Sequence, residues 1–220
     1  MDIFKNPKIE KIVYFVRHGQ SEANISPVFQ GPDSSLTESG REQARVVADR
    51  LAKLSFEALV SSPWRRARDT AEIISQATHT NVEYSDLFVE RVKPRGINGK
   101  SIEDPAAHEI YERWEESLYT PGLKVDDGEG FNDLMDRAGQ ALEYLKNRPE
   151  KSLVVITHGF FLRTIFAKVL LNGSLTPENY KNFQFRASME NSGISAIIWS
   201  SSREGARWRL WIYNDHAHLG

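Results

Sequence analysis

The stretch Ile12-Val13-Tyr14-Phe15-Val16-Arg17-His18-Gly19 decides how this chain is read. Its first five residues are apolar, and short runs rich in β-branched and aromatic residues form buried strands. Open α/β sheets bind ligands at the carboxyl ends of their strands. This strand would therefore deliver an arginine, a histidine and a glycine to such an edge. An arginine there can hold an oxyanion through its planar fork of donors. A histidine can act as base, nucleophile or metal ligand. A glycine lets the backbone approach a ligand closely.

The arrangement occurs twice. Leu153-Val154-Val155-Ile156-Thr157 is a second apolar, β-branched run, and it ends in His158-Gly159 before an apolar helical stretch from Phe160 to Leu171. If the two strands lie parallel in one sheet, His18 and His158 emerge at the same edge. Two unrelated surface histidines are the alternative.

Working outward, Thr37 can cap a helix whose apolar face uses Ala44, Val47, Ala48 and Leu51. Ala58-Leu59-Val60 is a short strand, and a helix is expected from Pro63 to about Gln76. Asn81 to Tyr84 is another strand candidate. Ile194–Trp199 and Arg207–Tyr213 read as a hairpin across residues 201–205. Strands alternating with helices predict an α/β fold with a mainly parallel sheet. The polar stretch from Arg91 to Gly130 breaks that alternation. It holds Pro94, Pro105, Pro121 and a helical piece over about 104–118, with Ile110, Trp114 and Leu118 on one face. It is expected to be a lid insertion in a single domain of 220 residues, with a plain surface excursion as the alternative.

Hydrophobic residues make up 40% and charged residues 26%, as in ordinary globular proteins. The net charge of −2 argues against a dedicated nucleic-acid binder. There is no cysteine, which excludes disulfides, thiolate metal sites and a cysteine nucleophile. The N-terminus, with Asp2, Lys5, Lys8, Glu10 and Lys11, does not read as a signal peptide. No stretch reaches the roughly 18 apolar residues of a spanning helix. A cytoplasmic location, with no membrane partner, is the default expectation. Nothing in the sequence specifies an oligomeric state.

These motifs resemble the histidine phosphatase superfamily, also called the phosphoglycerate mutase-like family. The resemblance is carried by Val16 to Asn24 (Val-Arg-His-Gly-Gln-Ser-Glu-Ala-Asn), Leu36 to Gly40, Ser61 to Ala71, Thr157-His158-Gly159 and Asn214 to Leu219. The segments fall in the family's order and span nearly the whole chain. The resemblance implies a three-layer fold with helices on both faces of the sheet. It makes His18 the nucleophile, Arg17 and Arg66 phosphoryl-holding arginines, and His158 the second histidine. Leu87-Phe88-Val89-Glu90 fits the proton-donor segment and points to Glu90. Asn24 falls at the phosphate pocket, with Ser21 and Gly159 as further phosphate-binding positions. Turn and cap chemistry is the competing reading for Ser21 and Asn24, and a surface ion pair with Arg91 or Arg95 is the competing reading for Glu90.

The implied activity is that of a phosphomonoesterase of the histidine acid phosphatase type. It would act on a small phosphorylated substrate through phosphohistidine, without metal or other cofactor. Two arginines and a histidine would offset the transferring charge. A phosphoglycerate mutase is the alternative. The chain departs from the family's Gly-x-x-Glu-Gly stretch after Glu90, and it lacks the long arginine- and proline-rich insertion of dedicated mutases, so hydrolysis is preferred. A non-catalytic phosphoprotein-binding module and a metal-dependent hydrolase are further alternatives. Lys93, Arg95 and Lys100 could receive a second acidic group. His216 and His218 form a His-x-His pair read as structural, and His79 and His108 read as solvated.

Overall fold

The computed structural model describes residues 8–29, 31–202 and 205–220. Asp2, Lys5, Arg203 and Glu204 lie outside the described residues. Six strands form one sheet: β1 (Lys8–Arg17), β2 (Ala58–Ser61), β3 (Val82–Tyr84), β4 (Ser152–Thr157), β5 (Ile194–Ser202) and β6 (Gly205–Asp215). The helices are α1 (Glu22–Ile25), α2 (Glu38–Leu51), α3 (Arg65–Thr78), α4 (Pro105–Glu116), α5 (Phe131–Asn147), α6 (Gly159–Leu171) and α7 (Pro177–Arg186). Strand order is β3-β2-β4-β1-β5-β6. The β3-β2, β2-β4 and β4-β1 pairs are parallel, whereas β5 runs antiparallel to both β1 and β6.

Side-chain alternation along the strands builds two cores. Val13, Phe15, Val60, Leu153 and Val155 meet α5 and α6 on one face. Val16, Leu59, Val154 and Ile156 meet α2 and α3 on the other. Both faces of the parallel strands are covered, which is why β4 reads as an unbroken apolar run. The expected three layers are therefore present. The hairpin is also longer than its apolar run suggests, because its strands reach Ser202 and Gly205.

The register between β1 and β4 sets the site. Arg17 lies opposite Thr157, and the His18 amide donates to the Thr157 carbonyl at 3.0 Å. The next residue of each strand is a histidine, so the two leave the sheet side by side. β1 begins earlier than expected, at Lys8, and carries Lys11 into a buried position. The Lys11 ammonium donates to the carbonyls of Leu145, Lys146 and Arg148 at 2.7, 3.0 and 2.5 Å. All three of its donors thus serve carbonyls at the end of α5, which that helix cannot satisfy internally.

Helix α3 begins at Arg65, not Pro63. Trp64 holds extended backbone angles, its amide donates to Ser62 Oγ at 3.3 Å, and the Arg65 amide donates to the Pro32 carbonyl at 3.0 Å. Thr37 caps α2 by accepting from the Gly40 amide at 3.0 Å. Gly40 is tightly enclosed: a Cβ there would stand 1.9 Å from the Gln20 carbonyl oxygen, and one on Gly19 would stand 2.3 Å from the Gly40 carbonyl oxygen. The close approach expected of Gly19 toward a ligand is therefore an approach to the backbone of Gly40.

Segment 91–130 is rooted by one buried arginine. Arg91 donates to the Glu129 carbonyl at 3.1 Å, Glu115 at 2.8 Å, Ser117 Oγ at 3.1 Å and the Trp114 carbonyl, and lies 3.5 Å from the centre of the Trp114 ring. Trp114 and Leu118 are buried as expected, and Ile110 packs with Phe29, Ile97 and Ala107.

Gly40→Ala decides between two opposing effects. Alanine would favour the helix by about 1 kcal/mol, but the Gln20 contact forces the backbone apart, a type of overpacking that costs about 1–3 kcal/mol or more. Urea unfolding should show net destabilisation. An unchanged or raised midpoint would show that α2 can shift freely against the 19–20 segment.

Candidate active site

His18 is buried, and its ring is held at both nitrogens. Nδ1 lies 2.7 Å from the Gly19 carbonyl oxygen, and Nε2 receives the Arg66 Nε–H at 3.1 Å. A carbonyl accepts only, so the ring proton sits on Nδ1 and the lone pair on Nε2. Burial, then the charges of Arg66 and Arg17, hold the His18 pKa well below its usual value. The ring is therefore neutral, with a lone pair that can attack.

His158 stands at the N-cap of α6, with its ring centre 5.0 Å from that of His18. Its Nε2 lies 2.8 Å from Ser62 Oγ, while Nδ1 is buried without a partner among the described residues. Burial and the Arg66 charge hold its pKa well below the usual value too. A protonated His158 is thus disfavoured. Its capacity to donate rests on a neutral tautomer.

Arg17 and Arg66 flank the pair. Arg17 donates through Nη1 to the Met189 carbonyl, and its Nε is buried and unpartnered among the described residues. Arg66 alone of the three helical arginines turns inward. Arg65 and Arg68 face Asp69 and Glu72 on the exposed side of α3. Burial pulls the Arg66 pKa down to about 10, which still leaves it charged at neutral pH. Thr70 ties this corner together, accepting the Gly19 amide at 3.1 Å and donating to the Arg66 carbonyl at 2.8 Å.

Glu90 is not paired with a neighbouring arginine side chain. Arg91 turns into segment 91–130, and Arg95 pairs with Asp127 on the surface. The Glu90 carboxylate instead accepts the amides of Phe161 at 2.8 Å, Phe160 at 3.2 Å and Arg91 at 3.1 Å. It therefore occupies amides at the start of α6, the end of a helix that otherwise favours an anion. The charges of Arg17, Arg66 and Lys93 all feel Glu90.

Ser21 and Asn24 are engaged locally. Asn24 is exposed, and its Oδ1 accepts the Ser21 amide at 2.9 Å and the Ser21 hydroxyl at 3.1 Å, capping α1. The cap reading describes both. Gly159 contributes space: a Cβ there would stand 3.0 Å from Arg17 Nε. His218 has both ring nitrogens engaged, with Arg50 at 2.9 Å and the Ser192 carbonyl at 3.0 Å. Among the described residues no group of three or more His, Asp or Glu side chains is placed to hold a metal ion. His79 and His108 are exposed. No helix among the described residues is long and apolar enough to cross a membrane.

Three contributors carried no assigned role in the sequence. Ser62 sets the His158 ring. Trp64 packs its indole 5.2 Å from that ring and 4.9 Å from the Arg66 guanidinium carbon. The 189–193 turn holds the backbone of Arg17 and His18, with the Ser192 amide donating to the Arg17 carbonyl at 2.9 Å and Asn191 Nδ2 to the His18 carbonyl at 2.9 Å. The turn residues Asn191-Ser192-Gly193 before a strand were its signal.

The sequence model of the histidine phosphatase superfamily (branch 1) matches residues 13–214. The chain belongs to that superfamily. It is 34% identical over 218 residues to a protein named probable phosphoglycerate mutase GpmB from Shigella dysenteriae, covering 94% of each chain. Similar solved structures include phosphatases. One is a phosphoserine phosphatase from Entamoeba histolytica, 26% identical with a TM-score of 0.73, covering 96% of this chain and 100% of that one. Another is a mycobacterial glucosyl-3-phosphoglycerate phosphatase, 25% identical with a TM-score of 0.70, covering 93% and 99%.

The two buried histidines make stability depend on pH in a definite direction. Both have folded pKa values below the unfolded value near 6.5, so the unfolded chain binds protons first as pH falls. The stabilisation is complete above pH 6.5 and declines below it, by up to about 1.4 kcal/mol per pH unit for each histidine. Urea unfolding in phosphate-free buffer from about pH 7.5 to about pH 5 should show a shallower decline in His158→Gln than in the parent. Equal slopes would mean that His158 is protonated in the folded chain.

Proposed function

We propose that this chain is a phosphomonoester hydrolase that acts through a phosphohistidine on His18, without a metal ion. One observation carries the reading. A neutral His18, its Nε2 lone pair accepting only the Arg66 Nε–H, stands beside two buried polar atoms, Arg17 Nε and His158 Nδ1, that have no protein partner among the described residues. Buried polar groups are normally satisfied. A phosphoryl group between them would accept from both.

In the first step His18 Nε2 attacks phosphorus, and the bond to the leaving oxygen breaks as the P–N bond forms. Arg66 would swing its Nε–H from the imidazole to an equatorial oxygen, joining Arg17. With Ser62 donating its hydroxyl to Nε2 of His158, the imidazole proton sits on Nδ1 and completes the set of donors. Glu90 is the group assigned to deliver a proton to the leaving alkoxide. In the second step its carboxylate takes the proton of the water that cleaves P–N, and His18 returns neutral.

Phosphoglycerate mutase is the second reading, because the named relative at 34% identity carries that name. It requires the phosphoryl group to return to substrate before water arrives. A phosphoprotein-binding module has less support, because the nucleophile, both arginines, the second histidine and Glu90 are all retained.

A panel of phosphomonoesters should be hydrolysed to free phosphate with chelator present, and mutase activity on 3-phosphoglycerate should be far slower. His18→Ala should reduce turnover below about 10⁻³ of the parent while the fold persists, and Arg17→Ala by about 10²–10³. Activity restored only by divalent ions, or faster isomerisation than hydrolysis, would overturn the reading.

Glu90→Gln retains an acceptor for the α6 amides while removing the transferable proton. Alkyl phosphates should slow strongly and activated aryl phosphates much less, because charge on the leaving oxygen sets the need for an acid. Equal slowing of both would move the acid elsewhere.

A further inference from the structure

Next to the phosphoryl site is a cavity of about 340 Å³ that the chemistry above leaves without an occupant. Pro32, Trp64, Val89 and Val92 form its apolar walls. Trp64 joins it to the reacting centre, since the same indole packs against His158 and Arg66. The Gly31 carbonyl, which receives the Arg66 Nη1–H at 3.4 Å, lies on its lining as well.

Size and charge limit what fits. At about 30 Å³ per water, the cavity corresponds to roughly eleven waters, far more than a three-carbon acid displaces. Such a ligand would leave the apolar walls wet. A ring against the walls would remove apolar surface from water, which stabilises by roughly 25 cal/mol per Å². The charges at the rim do not form a second phosphate site. Arg95 is paired with Asp127, and Asp86 on the same lining is itself an anion. Lys93, also on the lining, is largely buried, and the charges of Glu90 and Arg66 act on it.

We propose that this cavity seats the leaving group, and that the preferred substrates are phosphomonoesters of flat, ring-bearing alcohols or phenols without a second phosphate. This rests on the hydrolytic reading above. The phosphoryl group sits between Arg17, Arg66 and His158, the leaving oxygen faces Glu90, and the ring lies along Trp64 with Val89, Val92 and Pro32 around it. Binding energy from the ring, remote from phosphorus, then serves to orient the phosphoryl group for attack.

The test compares 2-phenylethyl phosphate with ethyl phosphate, which share an alkoxide leaving group and differ in the ring. Fructose 1,6-bisphosphate tests exclusion of a second phosphate. For the parent protein kcat/KM should favour 2-phenylethyl over ethyl phosphate by about tenfold or more, and the bisphosphate should be poorer than 2-phenylethyl phosphate. Val92→Phe, which fills the cavity, should cut the phenylethyl-to-ethyl ratio severalfold or more. Free 2-phenylethanol should compete with ethyl phosphate in the parent, a measurement that does not depend on how the variant folds. A parent ratio near one with hydrolysis intact, or no competition by the alcohol, overturns the cavity assignment alone. Absence of hydrolysis on every phosphomonoester sinks the hydrolytic reading and this inference with it.

Discussion

Two guanidinium groups removed from water beside two imidazoles set the terms for everything around them. Burial, reinforced by the charge of Arg66 and, for His18, of Arg17, holds His18 and His158 neutral, and both arginines are themselves partly destabilised by burial. Uncompensated buried charge is costly. Glu90 is the nearby carboxylate that both arginines feel, and Lys93 adds a further cation to the same neighbourhood. The surplus is positive, and a phosphate dianion would neutralise it. A nucleophile must be neutral to attack, and a phosphate pocket must be cationic. Here one charge distribution meets both needs, because the arginines suppress protonation of the ring that they also help to position.

The same economy shows in the framework. Glu90 ties the segment ahead of residues 91–130 to the start of α6, and the residue before α6 is His158. One residue further, Arg91 turns into the insertion and binds the Trp114 carbonyl and the Ser117 hydroxyl at the end of α4. Adjacent side chains thus join the two histidines to the insertion whose first residues line the cavity. Glu129 closes this region from the other side, pairing with Arg137 at 2.7 Å and accepting the Val92 amide at 2.9 Å.

How much of this was legible follows from the range of the interactions. The neighbouring positions of His18 and His158 depend only on strand direction and register, and uniform apolar runs encode both. Arg66 was separable from Arg65 and Arg68 by helical phase, since Ala67, Thr70, Ala71 and Ile74 mark the buried face of α3 and Arg66 lies on it. Ser21 and Asn24 carried two signals at once. Their spacing is that of a capping box, and local capping is what the geometry shows. The partner of His18 Nδ1 depends on one ring torsion, and Lys11 reaches carbonyls more than 130 residues away. The occupancy of the α6 amides by Glu90 likewise joins residues 70 and 71 positions apart. No pattern in a single sequence reports such pairs.

The place of β1 in the sheet has a consequence for biosynthesis. Its two neighbours are β4 and β5, so both edges of the first strand pair with segments from the last third of the chain. As the chain leaves the ribosome, His18 emerges early on a strand with no partner, and about 140 residues separate Arg17 from its partner Thr157. β2 and β3 can pair sooner, but they cannot enclose β1. Closing so long a loop slows folding, and an open apolar strand is exposed to mispairing while it waits. The chain therefore holds its most reactive segment on its most dependent strand, and the chemistry cannot begin until nearly all of the fold has been made.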